Sequence, residues 1–354
     1  MVIVKDIIAK WIDFASNLSD MWVLKAVRKG LIYNLPLVFV GSLVLMILNL
    51  PVVFFQDIMN DIFGVQWRSI LLLIHDGTLS VISICVLIGI AYAILQDKRP
   101  LKEGSYLFGT TISVVVGCFL LFVKDSSVLP QSNAESTGLF LAMIFSVIVT
   151  SLFLWFYNHR LLKIKMEKYR DDNMMNEIVS LVEPAIFTFG VVALAKYFYL
   201  ELHSGQINMH FLTEILENYS DFTATIIFET ITQLLWFFGF HGSNILETVT
   251  KEIFRMNSSI NIVALLANGA PTQIFTKEFL DIFVYLGGSG SSLCLVAALL
   301  LRGSKNGTYK LAKFSLLPAL FNINELIIFG LPVVFNLFFL IPFIVTPIDR
   351  KSVV

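Results

Sequence analysis

Four stretches of this sequence place polar or ionisable side chains among residues that are almost wholly apolar. Such groups are expensive in a low-dielectric surrounding, so each invites a functional reading. The first is Trp236-Phe237-Phe238-Gly239-Phe240-His241-Gly242. Gly239 and Gly242 free the backbone to break there, and the imidazole of His241 can donate to or accept from a hydroxylated ligand. The plainer reading is an interfacial histidine at a helix end. The second stretch is Phe321-Asn322-Ile323-Asn324-Glu325-Leu326-Ile327-Ile328-Phe329-Gly330-Leu331-Pro332. Two carboxamides and a carboxylate offer donors and acceptors in fixed directions, which suits sugar hydroxyls. The structural alternative is that Glu325 caps backbone N–H groups of a broken helix. The third stretch, Gly287-Gly288-Ser289-Gly290-Ser291-Ser292, opens an apolar run. N–H groups at a glycine-rich helix start can hold an anion, and close helix packing through small residues explains the composition equally well. The fourth is Glu229 and Gln233, four apart and on the face that carries Trp236 and Phe240. It is either a ligand-facing stripe or a polar contact between helices, and the contact is the simpler reading.

The elements that must position these groups are apolar helices. Hydrophobic residues make up 56% of the 354 positions and charged residues 14%, against about 25% charged in a soluble domain. That leaves too little polar surface for a water-facing exterior. A bilayer-spanning helix needs about 20 apolar residues. Candidate spans are 33–55, 71–96, 105–123, 138–157, 179–200, 222–240, 279–301 and 314–346. The last is too long for one helix and holds Pro318, Pro332 and Pro342. It must break, and broken backbone survives in a membrane only where protein or a wet cavity re-satisfies it. The fold class is therefore all-α: a polytopic integral membrane protein with about 8 spans and broken or re-entrant helices in its second half. The organisation reads as an amphipathic N-terminal segment (1–31), a five-span scaffold half (32–221), a substrate-binding half (222–347) and a short tail (348–354).

Basic residues orient the chain. Lys5, Lys10, Lys25, Arg28 and Lys29 precede the first span, Lys98, Arg99 and Lys102 follow the second, and Arg160, Lys163, Lys165, Lys168 and Arg170 follow the fourth. Alternate loops hold only Arg68, only Lys124, or neither Lys nor Arg in 201–221. By the positive-inside rule the N-terminus is cytoplasmic and 201–221 external. Span six then ends inside, near Lys251 and Arg255. The parity fails at 302–313, where Arg302, Lys305, Lys310 and Lys313 also read as cytoplasmic. Either 259–276 crosses in some broken form, or the second half departs from simple up-down order, as the discontinuous helices of transporters do. His75 and Asp76 read as interfacial, and Lys196 as able to snorkel to the headgroups.

Several function classes fall away. The net charge of −1 carries no hint of nucleic-acid binding. No phosphate-binding loop, zinc spacing or Ser-His-Asp signature stands out, and no metal or cofactor is expected. Cys85, Cys118 and Cys294 show neither metal spacing nor a disulfide framework and read as inert thiols.

The order and spacing of WFFGFHG, GGSGSSL at 287–293, and FNINELIIFGLPVVFN at 321–336 followed by IPF at 341–343 resemble one family. It is the membrane subunit, enzyme IIC, of the bacterial phosphoenolpyruvate-dependent sugar phosphotransferase system, in its lactose/cellobiose/chitobiose branch. The resemblance implies a homodimer in the bacterial plasma membrane that binds a di- or oligosaccharide and carries it inward. It also implies a phosphorylated IIB partner, which transfers phosphate from its own cysteine to the sugar. None of the three cysteines here inherits that role. The resemblance places Glu325 and His241 at the sugar and the reacting hydroxyl, with Asn322 and Asn324 shaping the same hairpin and Gly287, Gly288 and Ser289 beside it.

The sequence departs from the family where Leu326 and Leu337 stand in place of the usual prolines. Family members also usually continue for about two further helices, so the chain reads as truncated. A second reading stays open: a IIC-like membrane sensory domain of a longer signalling protein, binding a ligand without transporting it.

Overall fold

The computed structural model describes residues 2–50, 52–64, 66–98, 106–123, 134–159, 173–202, 210–302, 307–331 and 333–352. Every regular element among them is helical. The basic cluster Arg160 to Arg170, and also Arg99, Lys102, Lys124, Lys305 and Pro332, lie outside the described residues. Four described runs are long and apolar enough to cross a bilayer: Tyr106–Val123, Gly138–His159, Glu177–Glu201 and Lys277–Arg302.

The helices fall into two compact units. One contains α2 (Trp22–Tyr33), α6 (Ile82–Lys98), α7 (Tyr106–Val123), α8 (Ala134–His159) and α9 (Asn173–Leu202). Its core is Leu87, Ala91, Val115, Cys118, Phe153 and Leu181. Three polar groups of this unit are spent locally. Ser146 donates to the Leu87 carbonyl at 2.7 Å, and the Glu177 carboxylate accepts from the Tyr106 N–H at 2.9 Å, at the start of α7. Lys196 donates to the Leu121 carbonyl at 2.8 Å, so its ammonium satisfies a helix end rather than only reaching for headgroups.

The other unit holds α1 (Val2–Ser19), α3 (Leu35–Leu48), α4 (Val53–Phe63), α5 (Trp67–Asp76) and the remaining helices from α10 (His210–Glu217) onward. Two expected spans are shorter than the sequence pattern indicated. The run 33–55 stops at Leu48 and restarts at Val53, because Pro51 disfavours a helical Leu50. The run 71–96 divides after Asp76 and resumes at Ile82, where Thr78 turns back to donate to the Ile74 carbonyl at 2.7 Å.

The path of the second half is set by α11 (Asp221–Phe237), capped at its start by the Ser220 hydroxyl, which accepts from the Thr223 N–H. After Phe237 the chain breaks and returns along α11 through α12 (Gly242–Ile245), α13 (Glu247–Val249), a π-helical turn at Thr250–Arg255, and α14 (Met256–Leu266). Gly242 permits the reversal: a Cβ there would lie 2.3 Å from the Thr232 carbonyl oxygen. Leu246, Val249 and Phe254 fill the interface with Ala224 and Phe228.

This path corrects the expectation that Lys251 and Arg255 sit where α11 ends. Thr213 donates to Glu252 at 2.6 Å, and the rings of Phe222 and Phe275 are 6.1 Å apart. Residues 251–255 therefore lie beside the start of α11, about 24 Å from its end. A hairpin then turns through 267–276, clasped by the Asn261 side chain, which accepts from the Gln273 N–H at 2.9 Å and donates to its carbonyl at 2.7 Å. The next run, α15 (Lys277–Phe279) with the π-helical turn Leu280–Val284, descends parallel to α11. It passes through a glycine-rich turn into α16 (Ser292–Arg302).

The expected break of 314–346 is present. Helix α17 (Gly307–Leu320) rises to a tip at 321–324, α18 (Glu325–Gly330) turns back, and α19 (Leu337–Ser352) follows. Gly330 lies against Leu311, which closes the α17–α18 hairpin. Leu326 is buried inside α18, so the hairpin forms without a proline after Glu325.

Candidate functional site

Three breaks meet in one place: the end of α11, the glycine-rich turn 285–291, and the hairpin tip 321–325. Each break is written in residues that tolerate it. Gly239, Gly287, Gly288 and Gly290 have φ of +85°, +82°, +91° and +69°. Asn322 at the tip has φ +61°, a conformation asparagine tolerates better than most side chains.

The tip and the turn are stapled together. The Asn322 side-chain oxygen accepts from the Gly287 N–H at 2.8 Å, and its amide donates to the Asp281 carbonyl at 3.2 Å. Asn324, 2% exposed, donates to the Ser289 carbonyl and the Ser292 hydroxyl, both at 3.0 Å. From the opposite side Gln233 accepts from the Gly290 N–H at 2.9 Å. The N–H groups of Gly287 and Gly290 are therefore taken by side chains and that of Gly288 by the Tyr285 carbonyl, which argues against the anion-binding reading of this turn. Glu229 and Gln233 are fully buried and form the expected polar contact between helices: the Tyr285 hydroxyl donates to Glu229 at 2.7 Å, and Gln233 donates to it at 3.2 Å.

Between the staples lies a cavity of about 150 Å³, lined by Trp236, His241, Ser243, Asp281, Tyr285, Gly288, Ser289, Asn322, Asn324 and Glu325. Six of the seven residues singled out from the sequence are on its wall, and Gly287 lies just behind it, holding Asn322. Glu325 is the first residue of α18 and half-buried. His241 stands immediately before α12, its ring centroid 4.4 Å from that of Trp236. The His241 Nδ1 and the Trp236 Nε1 are both buried without a hydrogen-bond partner. Buried polar atoms are nearly always paired, so two orphans on one cavity wall mark a place for a polar ligand. The indole is a donor only, the carboxylate an acceptor, and the imidazole either according to tautomer. That mixed set matches vicinal hydroxyls, which both donate and accept.

The family model of the phosphotransferase system EIIC matches residues 28–347. The chain belongs to the phosphotransferase system EIIC family. It is similar to the lichenan permease IIC component of Bacillus subtilis (strain 168), 29% identical over 361 residues, covering 96% of this chain and 77% of that protein. It is also similar to the cellobiose-specific EIIC component of Geobacillus stearothermophilus, 26% identical, covering 91% of this chain and 74% of that protein. Among solved structures it is similar to the transporter ChbC, the IIC component of the N,N'-diacetylchitobiose-specific phosphotransferase system. That match is 26% identical, covers 97% of this chain and 82% of that one, and has a TM-score of 0.48.

Membership bears out the family resemblance. This EIIC chain is an integral membrane, sugar-translocating subunit of a phosphotransferase system, a class that binds sugars and works with IIB components. Within it, sequence reading passed over Tyr285, Asp281 and Ser243, and it saw Trp236 only as part of a helix face. Tyr285 and Asp281 sit on an ordinary apolar run, and only the glycines after them hinted at a site. A second cavity of about 260 Å³ lies near the start of α11, with Glu217, Asp221 and Glu252 on its wall. On that wall Glu252 accepts from Thr213 at 2.6 Å, and Thr225 donates to the Asp221 backbone carbonyl at 2.6 Å.

Proposed function

We propose that the cavity between the 285–291 turn and the 321–325 tip is the sugar site, and that it takes a β-linked di- or oligosaccharide of the kind named for the lichenan, cellobiose and chitobiose relatives. The observation that carries this reading is the convergence of two unpaired buried N atoms, on Trp236 and His241, with the Glu325 carboxylate on one small wall. Glu325 can accept two hydroxyl hydrogen bonds. The Trp236 ring supplies an apolar face for sugar C–H groups and an indole N–H for one oxygen.

His241 is the candidate to polarise the hydroxyl that receives phosphate, with Glu325 as the base that takes its proton. Phosphoryl transfer asks mainly for positioning and charge stabilisation, and the donor phosphate arrives on a separate IIB component. The cavity volume of about 150 Å³ is below the roughly 300–1,000 Å³ of ordinary small-molecule pockets. One sugar ring therefore sits between the tip and the turn, which stay stapled by Asn322 and Asn324, and the remainder of a longer sugar lies outside this volume.

The chain resides in the bacterial plasma membrane with a cytoplasmic N-terminus and acts as a homodimer. The return run 242–266 supplies the crossing that the sequence count lacked, which brings 302–313 to the cytoplasmic side in agreement with its basic residues.

The test of the site is Glu325→Gln, which keeps shape and removes the charge. Sugar affinity of the purified chain should fall by about 1.5–3 kcal/mol, the range for bonds to charged groups. Unchanged affinity in the folded variant would reduce Glu325 to a helix-starting residue.

A further inference from the structure

We infer that Glu229 and Gln233 are positioning residues for the sugar cavity, holding both ends of the turn that forms one of its walls. The inference rests on the reading of that cavity as the sugar site. The two side chains lie one helical turn apart on α11, on one face, and both are 0% exposed. Glu229 holds Tyr285, where the turn begins, and Gln233 holds the N–H of Gly290, where it ends. Between those ends lie Gly288 and Ser289, which line the cavity with Tyr285.

The turn cannot hold this shape unaided. Its three glycines all have positive φ, so no regular helical ladder runs through it. A buried N–H such as that of Gly290 must be paired, and the partner that pairs it fixes where the wall stands.

The chemistry at position 229 is specific. Two donors converge on that side chain, the Tyr285 hydroxyl at 2.7 Å and the Gln233 amide at 3.2 Å. A carboxylate meets them with one oxygen each, whereas an amide would turn an N–H toward one of the two. Gln233 works in both directions: its NH2 donates to Glu229 while its oxygen accepts from Gly290. The result is one continuous chain of bonds from Tyr285 to Gly290. A carboxylate at membrane depth is costly, and this donor arrangement is what makes it the fitting group.

The arrangement has a reciprocal test. Glu229→Gln sets an amide NH2 either against the Gln233 amide or against the Tyr285 hydroxyl, whose own proton then loses its acceptor, and Gln233→Glu sets two carboxylates side by side. The double swap Glu229→Gln with Gln233→Glu restores every donor and acceptor: the 229 amide accepts from Tyr285 and donates to the 233 carboxylate, which accepts from Gly290. Binding would be measured on the purified full-length chain with cellobiose and N,N'-diacetylchitobiose as probes, together with the melting temperature. Each single variant should weaken binding by about tenfold, the scale of one hydrogen bond. The swap should return affinity to near the wild-type value.

Single variants that bind as the wild type does, or a swap no better than the singles, would overturn the inference. If the singles do not fold, Tyr285→Phe carries the test, since it removes one bond and keeps the ring. A folded Tyr285→Phe chain should bind several-fold more weakly, and wild-type affinity there would also overturn the inference. Glu325→Gln run in parallel separates the two failures. If it weakens binding while the strut variants do not, only this inference fails; if none of them matters, the cavity is not the sugar site.

Discussion

The tight seam between turn and tip can be probed with one methyl group. Gly288 has φ +91° and ψ −168°, in a region essentially reserved for glycine, where another residue costs on the order of 1–3 kcal/mol. A Cβ there would stand 2.6 Å from Asn324 Cγ, 2.7 Å from its Nδ2 and 2.9 Å from the Asn322 carbonyl oxygen. Those atoms have little room to give, because Asn324 is held by Ser289 and Ser292 and Asn322 by Gly287. Forcing a methyl into a packed site costs roughly 1–3 kcal/mol more. Gly288→Ala thus loads about 2–6 kcal/mol onto one seam. The least costly release is for the 321–325 tip to lift from the turn, and Glu325 moves with it. Titration calorimetry on the purified chain should show sugar affinity lower by more than tenfold, with a melting temperature reduced by only a few degrees. Gly190→Ala is the control: nothing lies within 4 Å of its added Cβ and its φ is not positive, so it should be neutral or stabilising by up to about 1 kcal/mol. Wild-type sugar affinity in Gly288→Ala would refute the argument that tip and turn must stay in contact to form the site.

Two further outcomes are expected. His241→Ala should lower phosphoryl transfer from a phosphorylated IIB partner more than it lowers sugar affinity, because an interaction made mainly in the transition state appears in kcat; equal loss in both would make His241 a simple sugar ligand. In a background with Cys85, Cys118 and Cys294 replaced, an impermeant thiol reagent applied to intact cells should label Ser220→Cys and Lys251→Cys and spare Lys310→Cys. Labelling of Lys310→Cys without Lys251→Cys would reverse the return path proposed for 242–266.

Much of the fold class could be read directly from composition and run length. With 14% charged residues the chain has no water-facing exterior to build, and the length of 314–346 together with the glycine cluster announces breaks, although Pro318 and Pro342 themselves stand inside α17 and α19. The chemical identity of the candidate site was legible too, because His241, Asn322, Asn324 and Glu325 stand out against apolar neighbours that make each of them costly. What tertiary structure alone decided is how these groups are divided. Asn322 and Asn324 look like sugar ligands in the sequence, yet their amides are spent on the glycine turn 35 positions away for the pairs 287–322 and 289–324. Trp236 looks like part of an apolar face, yet its indole N–H is left unpaired on the cavity wall. The path of the chain after α11 was equally hidden. Lys251 and Arg255 carry the charge of a cytoplasmic loop, and only tertiary contacts, such as Glu252 with Thr213 and Phe254 with Phe228, show that the helix has turned back. The physical reason is the same in each case. A sequence shows what a side chain can donate, accept or bury, whereas which partner takes that capacity depends on contacts between residues far apart in the chain.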